Sequence, residues 1–469
     1  MKAAAMSVWI FINILCFGMC GYLYLIWYQY WMHDEKQKST SKNSEDSPKI
    51  MISGGNYLEQ SEVDNPPFPI SFNYTVTIGN QRKSRRSAVG GYLNNRGPRQ
   101  MSNRTVGSFV LPSNNIVRKS NGSPRFPSLE RPLLEFDSYK YVCDKLLTVE
   151  CKEKTAEFKD LLIKEFHRVL MGASKVFTSG LNVHNKYDVK YDSNNRRRMS
   201  SKDEVLCALK RVKLRTVTAD DEPFAKLGFR IPSSPLHEGR HYNSCAVVTS
   251  AGALLGSGLG KFVDAHDMVL RFNNAPTENY TKNVGSKTTF RVLNSQVVTK
   301  PEFNFLDNPL FQNVSILIWD PANYTSTLED WYDHPDYPLF PVYKKLLEKS
   351  DKADVHLLNP QVLWELWSVL QDSSVYRLRR NPPSSGFLGM WFALQRCNRV
   401  RVLEYVPSAR VSRRCHYHAV QNDESCTIGA WHPLAHEKAL AEQMRVNNDL
   451  QVFQLGFIEI PGFSKINCD

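Results

Sequence analysis

The sequence predicts an α/β fold with a largely parallel central sheet, built by the C-terminal two-thirds of the chain. Two observations indicate this class. Short apolar runs with the β-branched content of buried strands alternate with segments long enough for helices. A turn of small residues, 249–252, directly follows the first run, as in sheets that hold a phosphate at the start of a helix. The strand-like runs lie at 246–249, 268–272, 288–293, 315–319 and 400–405.

An apolar segment near the N-terminus predicts a membrane anchor. Residues 7–28 carry no charge and are long enough for a helix that crosses roughly 30 Å of hydrocarbon. Aromatic residues gather at the far end of this segment, where an interfacial belt is expected. A cleaved signal peptide is the alternative, but such peptides have shorter apolar cores and a small-residue cleavage site. We therefore predict a cytoplasmic tail at 1–6, a signal anchor at 7–28 and a lumenal remainder.

Most of the positive charge of the chain is confined to one stretch. The net charge is +12, and residues 65–134 hold eleven Lys and Arg against one acidic residue. This stretch is rich in Ser, Asn, Gly and Pro, so it cannot bury enough apolar surface to offset its chain entropy. We predict a disordered lumenal stem at 29–145 and a folded domain at 146–469. The arginines between 82 and 86 leave open a cleavage that would release a soluble form.

Sequons and cysteines support a lumenal position for the folded domain. Two of the ten cysteines lie in the apolar segment, and the remaining eight form an even set that fits a disulfide framework. The sequence alone does not choose among their pairings, and a structural zinc site, the rival, lacks a C-x-x-C pair. Six N-x-S/T sequons predict glycosylation. They are Asn73, Asn103, Asn121, Asn279, Asn313 and Asn323.

Polar residues stand where ligands of parallel sheets collect. Asn273 and Asn294 each follow a strand-like run, and an amide can both donate to and accept from a nucleotide or a sugar. Residues 384–386 place two serines and a glycine at the start of an apolar helix. The same residues would also serve as ordinary turn and helix-capping residues, and both interpretations stand at this point.

Four segments together resemble one enzyme family. Residues 245–295, 381–397, 415–418 and 432–437 closely resemble, in order and in separation, the large, small, third and very small motifs of the animal sialyltransferases, glycosyltransferase family 29. The last of these reads HPLAHE, where the family has H-P-L-x-x-E. The sequences NPPSSG, WELW and RFNNAPT further resemble the β-galactoside α-2,6 branch. The resemblance covers roughly residues 155–469.

The resemblance implies a fold and an activity. The fold would be a modified Rossmann-like, GT-A-like catalytic domain. The reaction would transfer sialic acid from CMP-sialic acid to the 6-hydroxyl of a terminal galactose or N-acetylgalactosamine on N-glycans and related glycoconjugates, with inversion. No cofactor or metal is expected, and the absence of a D-x-D pair from the sequence agrees with this. His416 and His418 would offer a metal only two ligands.

The implied partners and location follow the family. They are CMP-sialic acid, glycoprotein or oligosaccharide acceptors, and the Golgi membrane, which a single-pass type II anchor would hold with the catalytic domain in the lumen. No nucleic acid is expected, and a homo-oligomer is left open. A catalytically silent glycan-binding or scaffolding protein on the same fold is the alternative. It is supported only by His416 and Trp431, where the family usually has Tyr.

The resemblance also assigns individual residues. His432 would be the general base, because the acceptor hydroxyl must lose a proton as it attacks C2 and an imidazole pKa near 6.5 suits Golgi pH. The residues implied around the donor are Ser250, Asn273, Asn294, Ser384, Ser385, Gly386, His416, Trp431 and Lys438. Gln296, Asp336 and Tyr187 would contact the acceptor. The family pattern further implies the disulfides Cys207–Cys468, Cys245–Cys397 and Cys415–Cys426, and leaves Cys143 and Cys151 as a candidate fourth pair.

Overall fold

The computed structural model describes the chain from residue 132 onward, with short gaps. The described ranges are 132–178, 185–192, 198–228, 231–232, 236, 239–349, 353–429 and 431–468. The predicted tail, the anchor at 7–28, most of the stem and the sequons at Asn73, Asn103 and Asn121 lie outside these residues. Within the described ranges, no helix combines the length and the apolar character that a membrane span requires.

A seven-stranded sheet forms the centre of the described part of the chain and confirms the α/β prediction. The strand order is β5-β4-β3-β2-β1-β6-β7, and every neighbouring pair is parallel except β6 and β7. The five predicted runs correspond to β1 to β4 and β6, whereas β5 and β7 were not predicted. The strands are β1 Tyr242–Val248, β2 Met268–Phe272, β3 Phe290–Asn294, β4 Ser315–Trp319, β5 Val355–Leu357, β6 Cys397–Leu403 and β7 Phe457–Pro461.

Helices cover both faces of this sheet. The 30-residue α1 contains the apolar stripe seen in the sequence, and α2 begins with a capping box in which Ser201 and Glu204 exchange hydrogen bonds. The α-helices of the described ranges are α1 Val149–Thr178, α2 Lys202–Arg211, α3 Gly260–Asp264, α4 Thr281–Val284, α5 Ser295–Thr299, α6 Leu328–Asp333, α7 Leu339–Lys349, α8 Gln361–Ser373, α9 Ser385–Arg396, α10 Ser425–Ile428 and α11 Leu434–Met444. Short 3-10 turns cover Gly252–Leu254, Pro301–Phe303, Pro309–Phe311 and Phe463–Lys465, and a π-turn covers Gln451–Leu455.

Helix α9 is apolar along most of its length because it is buried against the centre of the sheet. Its residues from Phe387 to Leu394 are all buried. Gly389 allows the closest approach, since a Cβ at this position would lie 2.5 Å from the Phe272 ring of β2. This packing sets the first turn of α9 at the carboxyl edge of the sheet.

The packed region begins before residue 146, the predicted start of the domain. Leu134, Phe136 and Tyr141 are buried in the main hydrophobic core. Gln454 Nε2 donates to the Tyr141 carbonyl at 3.0 Å, and Asp137 N donates to the Val411 carbonyl at 3.0 Å. These apolar residues have neither helical nor strand spacing, so no periodic pattern marks them in the sequence.

Disulfides connect distant parts of the domain. The structure contains Cys207–Cys468, Cys245–Cys397 and Cys415–Cys426, which confirms the three implied pairs, and Cys143–Cys151, which confirms the candidate fourth. Cys207–Cys468 attaches the C-terminus to α2, and Cys245–Cys397 joins the neighbouring strands β1 and β6. The asparagines of the three described sequons, Asn279, Asn313 and Asn323, are exposed.

Strand order places a crevice at one edge of the sheet. From β1 the chain adds β2, β3, β4 and β5 outward on one side and then returns to β6 on the other. The connection that leaves the carboxyl end of β1 therefore runs to one side, and the connection that leaves the carboxyl end of β6 runs to the other. Open α/β sheets bind ligands in the crevice between two such connections. The region outside the carboxyl ends of β1, β2, β3 and β6 is thus the expected site.

We expect the disulfides Cys207–Cys468 and Cys143–Cys151 to differ in their effect on stability. In the chain-entropy model, removing Cys207–Cys468, whose cysteines are 261 residues apart, costs about 5.6 kcal/mol, and removing Cys143–Cys151, 8 residues apart, costs about 2.5 kcal/mol. The two Cys→Ser double variants form a matched pair for denaturant titration under non-reducing conditions. Equal losses of unfolding free energy would contradict the entropic account.

Candidate active site

A cavity of about 460 Å³ lies at the carboxyl edge of the sheet. We call it the main cavity. His432 lines it together with all nine residues that the sequence assigned to a donor: Ser250, Asn273, Asn294, Ser384, Ser385, Gly386, His416, Trp431 and Lys438. These residues come from four segments that are far apart in the sequence, and the fold brings them to one place.

Asn273 and Asn294 are tied to each other across β2 and β3. Asn273 adopts a left-handed backbone conformation with φ 47°. Its Oδ1 accepts from Asn294 N at 3.1 Å, and Asn294 Oδ1 caps α5 by accepting from Val297 N at 3.2 Å. The capping interpretation of Asn294 is therefore correct, but it uses only the oxygen of the amide. The Nδ2 group of Asn294 remains a donor for a ligand.

Buried positive charge supports the Asn273 turn. Arg291 is almost fully buried, and its Nη1 donates to the carbonyls of Asn273 at 2.7 Å and Ala275 at 3.0 Å. Burial lowers the pKa of Arg291 to about 10, so it stays a cation at neutral pH. No carboxylate among the described residues forms an ion pair with it at 4.0 Å or less. Its charge therefore favours anions near the turn.

A buried carboxylate holds the start of α9. Ser384 Oγ caps the helix by accepting from Phe387 N at 3.1 Å. Glu437, fully buried in α11, accepts from Ser384 N at 2.8 Å, from Ser384 Oγ at 2.5 Å and from the Tyr405 hydroxyl at 2.8 Å. Burial raises the pKa of Glu437, and these hydrogen bonds oppose the rise.

Glu437 and Tyr405 were not among the site residues assigned from the sequence. Tyr405 lines the main cavity, two residues after β6. Glu437 is the last residue of the HPLAHE segment, so its position in the motif was the only available signal. The sequence does not show that its carboxylate faces the small motif, which lies about 50 residues earlier.

His432 is held in one tautomer by a backbone carbonyl. Its Nδ1 lies 2.8 Å from the Pro382 oxygen, which can only accept, so Nδ1 carries the proton. Asn381 Nδ2 donates to the Trp431 carbonyl at 2.7 Å and fixes the preceding residue. In the neutral ring Nε2 therefore keeps its lone pair, as a general base requires.

The pKa of His432 differs from the value assumed from the sequence. Burial lowers it to about 4, from the expected value near 6.5. The cause is desolvation of the imidazolium, which the hydrogen bond to Pro382 only partly offsets. His432 is thus neutral above about pH 5, and Nε2 needs no deprotonation before it can accept a proton.

Lys438 contributes a cation to the wall of the main cavity. Its Nζ donates to the Thr427 carbonyl. Burial lowers the pKa of Lys438 to about 8, against the opposing effects of Glu437 and Glu404. At pH 7 most of the molecules carry the charge, and an anion in the cavity would stabilise it further.

His416 and His418 stack on each other beside this wall. Their ring planes lie 3° apart with centroids separated by 5.3 Å. Burial lowers the pKa of His416, and it lowers that of His418 to about 4, with smaller effects of His416 and Arg291. Both rings are therefore neutral at pH 7. Across the described ranges, no three His, Cys, Asp or Glu side chains are grouped to hold a metal ion.

A second cavity of about 320 Å³ adjoins the main cavity. We call it the side cavity. It shares Asn294, Trp431 and His432 with the main cavity and is also lined by Gln296 and Asp336. Thus two of the three residues assigned to an acceptor lie in its wall.

Tyr187, the third residue assigned to an acceptor, supports the side cavity from behind. Its hydroxyl donates to Asp336 Oδ2 at 3.3 Å, and its ring packs edge-on against Trp431 with centroids 6.4 Å apart. Lys186, which the sequence did not indicate, lines the side cavity and forms an ion pair with Asp336. Trp431, assigned only to the donor, lines both cavities and is 43% exposed.

His432 lies at the boundary of the two cavities. Its ring contacts the Trp431 ring with centroids 4.5 Å apart. A base at a shared wall can take a proton from a molecule in one cavity as that molecule attacks a second molecule in the other. The arrangement is suited to group transfer between two bound substrates.

The comparisons with known proteins agree on one family. A family model described as glycosyltransferase family 29 (sialyltransferase) matches residues 195–448. The beta-galactoside alpha-2,6-sialyltransferase 2 of Danio rerio is 43% identical over 290 residues, which are 61% of this chain and 56% of the relative. Its counterpart in Homo sapiens is 42% identical over 274 residues, 57% of this chain and 52% of that protein. The chain therefore spans little more than half the length of these curated relatives.

A solved structure is also similar over part of the chain. The crystal structure of a mammalian sialyltransferase matches with a TM-score of 0.34 and 22% sequence identity, over 53% of this chain and 83% of that chain.

We expect His432 to titrate near pH 4 in the absence of a ligand, as the Nδ1–H tautomer. Ring-nitrogen NMR of the ¹⁵N-histidine-labelled protein would measure both properties, with His432→Gln used to assign the signal. Because the folded state would bind fewer protons than the unfolded state between pH 4 and 6.5, this residue should lower stability as the pH falls through that window. A His432 pKa at or above 6.5 would contradict the burial effect.

Proposed function

The chain belongs to glycosyltransferase family 29, the sialyltransferases, and we propose that it transfers sialic acid from CMP-sialic acid to the 6-hydroxyl of a terminal galactose or N-acetylgalactosamine. One observation carries the proposal: His432, with Nδ1 held by the Pro382 carbonyl, lies where the main and side cavities meet. The donor would occupy the main cavity and the acceptor sugar the side cavity. The doubly wound sheet would then be a Rossmann-like, GT-A-like variant.

The start of α9 provides donors for the phosphate of the donor substrate. Glu437 engages Ser384, so the backbone N–H groups of Ser385 and Gly386 remain for an anion at the helix N-terminus. Ser385 Oγ accepts from Trp319 Nε1 at 3.0 Å, which leaves its own hydrogen free to donate. Lys438 and the buried Arg291 add positive charge for a donor that carries a phosphate and a carboxylate.

Transfer proceeds as a single displacement with inversion. The acceptor O6 forms a bond to C2 of sialic acid as the bond between C2 and the phosphate oxygen of CMP breaks. His432 Nε2 takes the hydroxyl proton, and CMP leaves with the bonding electrons on its phosphate. Proton transfer is favourable late in this step, because O6 becomes acidic as its bond to the oxocarbenium-like carbon forms. A base with a pKa near 4 is then sufficient.

A bound donor would also make His432 a stronger base. The phosphate and carboxylate of CMP-sialic acid would lie in the main cavity, which His432 lines, and negative charge nearby raises the pKa of an imidazole. The same charges would stabilise the imidazolium after proton transfer. The pKa of His432 is low before the donor binds, which limits protonation of the base in the empty site. The pKa rises once the donor is bound, so donor binding precedes proton transfer.

The side cavity has the groups that a sugar requires. Gln296 and Asp336 provide an amide and a carboxylate for hydroxyl groups, and the exposed Trp431 ring offers an apolar surface to the sugar ring. Lys186 and Tyr187 hold the Asp336 carboxylate in place. We propose that glycoprotein and oligosaccharide acceptors bind here through their terminal residue.

We further propose that the catalytic domain works in the Golgi lumen, anchored by 7–28 through the stem. Four disulfides and three exposed sequon asparagines support an oxidising, glycosylating compartment. A homo-oligomer is compatible with this proposal and is not needed for it. Neither cofactor nor metal has a part in the proposed step.

The activity itself gives the first test. We expect the protein to form an α-2,6 product from CMP-sialic acid and a β-galactoside in the presence of EDTA, with the linkage read by NMR. His432→Ala should lower kcat by about 10²–10⁴-fold, the usual contribution of a general base. His418→Ala is the matched control, since His418 is not in the wall of either cavity. CMP binding without transfer to any acceptor would instead support the silent glycan-binding alternative.

The second test concerns the buried carboxylate of α11. Glu437→Gln places an NH₂ group against donors of Ser384 or Tyr405, and an unsatisfied buried donor costs about 1–3 kcal/mol. We expect the KM for CMP-sialic acid to rise about tenfold or more, with the acceptor KM little changed. Glu442→Gln, in the same helix but paired with Lys159 and Arg445, is the control. An equal rise of donor KM in both variants would mean that only helix stability matters.

A further inference from the structure

We propose that Asp320, which lines neither cavity, is the positioning residue for the acceptor site. The inference rests on the proposed function and assigns a role to a residue that no sequence motif indicated. Asp320 follows β4 directly and is fully buried. Its neighbours Trp319 and Pro321 line the side cavity, so the carboxylate lies just behind the wall.

The carboxylate connects three segments. It accepts from Ser295 Oγ, from Trp331 Nε1 at 2.9 Å and from the backbone N of Asp336 at 2.9 Å. Ser295 begins α5, Trp331 lies in α6, and Asp336 lies in the loop after α6. One carboxylate therefore joins the start of α5, α6 and the loop after α6.

Two of these segments carry the groups assigned to the acceptor. Ser295 stands between Asn294 and Gln296, and all three line the side cavity. Asp336 lines the same cavity. Fixing Ser295 and the Asp336 backbone with one carboxylate therefore sets the separation of Gln296 from Asp336. The sheet register, which pairs Asn294 with Trp319, brings Asp320 next to Ser295.

Asp336 is held through its side chain as well as through its backbone. Its carboxylate is bound by Lys186 and by the Tyr187 hydroxyl, so backbone and side chain have separate anchors. Without the Asp320 contact, Asp336 would be held through its side chain alone, by Lys186 and Tyr187. A shift of about 1 Å in a positioning group is enough to weaken binding or turnover markedly.

The fold disfavours ionisation of this carboxylate, which argues for a role beyond packing. Burial, and to a smaller extent Asp336, raises the pKa of Asp320 to about 6. Since this value exceeds that of an unfolded aspartate, ionisation at neutral pH is less favourable in the folded protein than in the unfolded chain. Yet an ionised carboxylate is the group best suited to three converging donors, because it has four lone-pair positions and carries no hydrogen. An asparagine would turn its NH₂ group towards one of them.

The donor site does not depend on Asp320. Asn273 and Asn294 are tied to each other and to Val297, and the start of α9 is tied to Glu437. Trp319 contacts Ser385 through its indole, which the Asp320→Asn substitution leaves intact. Loss of the Asp320 contacts should therefore change acceptor binding selectively.

The test compares Asp320→Asn with the unchanged full chain. We expect the KM for N-acetyllactosamine to rise about tenfold and the KM for CMP-sialic acid to stay within about twofold, in a variant whose circular dichroism spectrum shows that it is folded. Ser295→Ala removes one of the three contacts and should shift the acceptor KM in the same direction. Asp267→Asn is the control for the chemical change, because the exposed Asp267 accepts from Ser244 N and Oγ at the amino-terminal edge of the sheet, away from both cavities.

The outcomes separate this inference from the proposed function. An unchanged acceptor KM in folded Asp320→Asn and Ser295→Ala, or an equal rise of both KM values, would overturn the role of Asp320. If the unchanged protein bound N-acetyllactosamine in ligand-observed NMR but did not transfer sialic acid, the proposed function would fail, and the Kd values of the same variants would decide on Asp320. Absence of galactoside binding by the unchanged protein would overturn both.

Discussion

The buried carboxylate of Glu437 is the contact on which the main cavity depends. It joins α11, which directly follows the His432 turn, to the start of α9 and to the end of β6. Three donors converge on one desolvated anion, and hydrogen bonds to a charged group contribute about 1.5–3 kcal/mol each. Because Asn381 and Pro382 also hold Trp431 and His432, the small and very small motifs form one unit.

A second buried carboxylate, that of Asp320, supports the side cavity as Glu437 supports the main cavity. In each case a fully buried carboxyl group accepts three hydrogen bonds and connects segments that are distant in sequence. Burial raises the pKa of both groups, so ionisation of each is less favourable in the folded protein than in the unfolded chain. The cavities meet at His432, whose neutral ring is a consequence of the same desolvation. Low dielectric surroundings thus determine both the shape of the site and the state of its base.

Much of the site could be predicted because its residues stand in recognisable segments. Asn273, Asn294 and Ser384 follow strand runs or begin a helix, and the parallel arrangement of strands brings such positions to one edge. Other features left no such signal. Strand β5 has only three residues, the packed segment with Leu134 and Phe136 has no periodicity, and Lys186 precedes a tyrosine in an irregular stretch. The lowered pKa of His432 had no sequence signal either, because desolvation is a property of the folded state.

The sequence by itself determined the α/β class and five of the strands, and its resemblance to a family determined three disulfide pairs, a candidate fourth pair and ten of the residues that line the main cavity. These follow from local patterns and ordered motifs. Only the tertiary structure decided which groups face each other: Glu437 with Ser384, Asp320 with Asp336, and His432 between two cavities. The physical reason is that desolvation and hydrogen bonding depend on neighbours in space, and a linear pattern does not contain those neighbours.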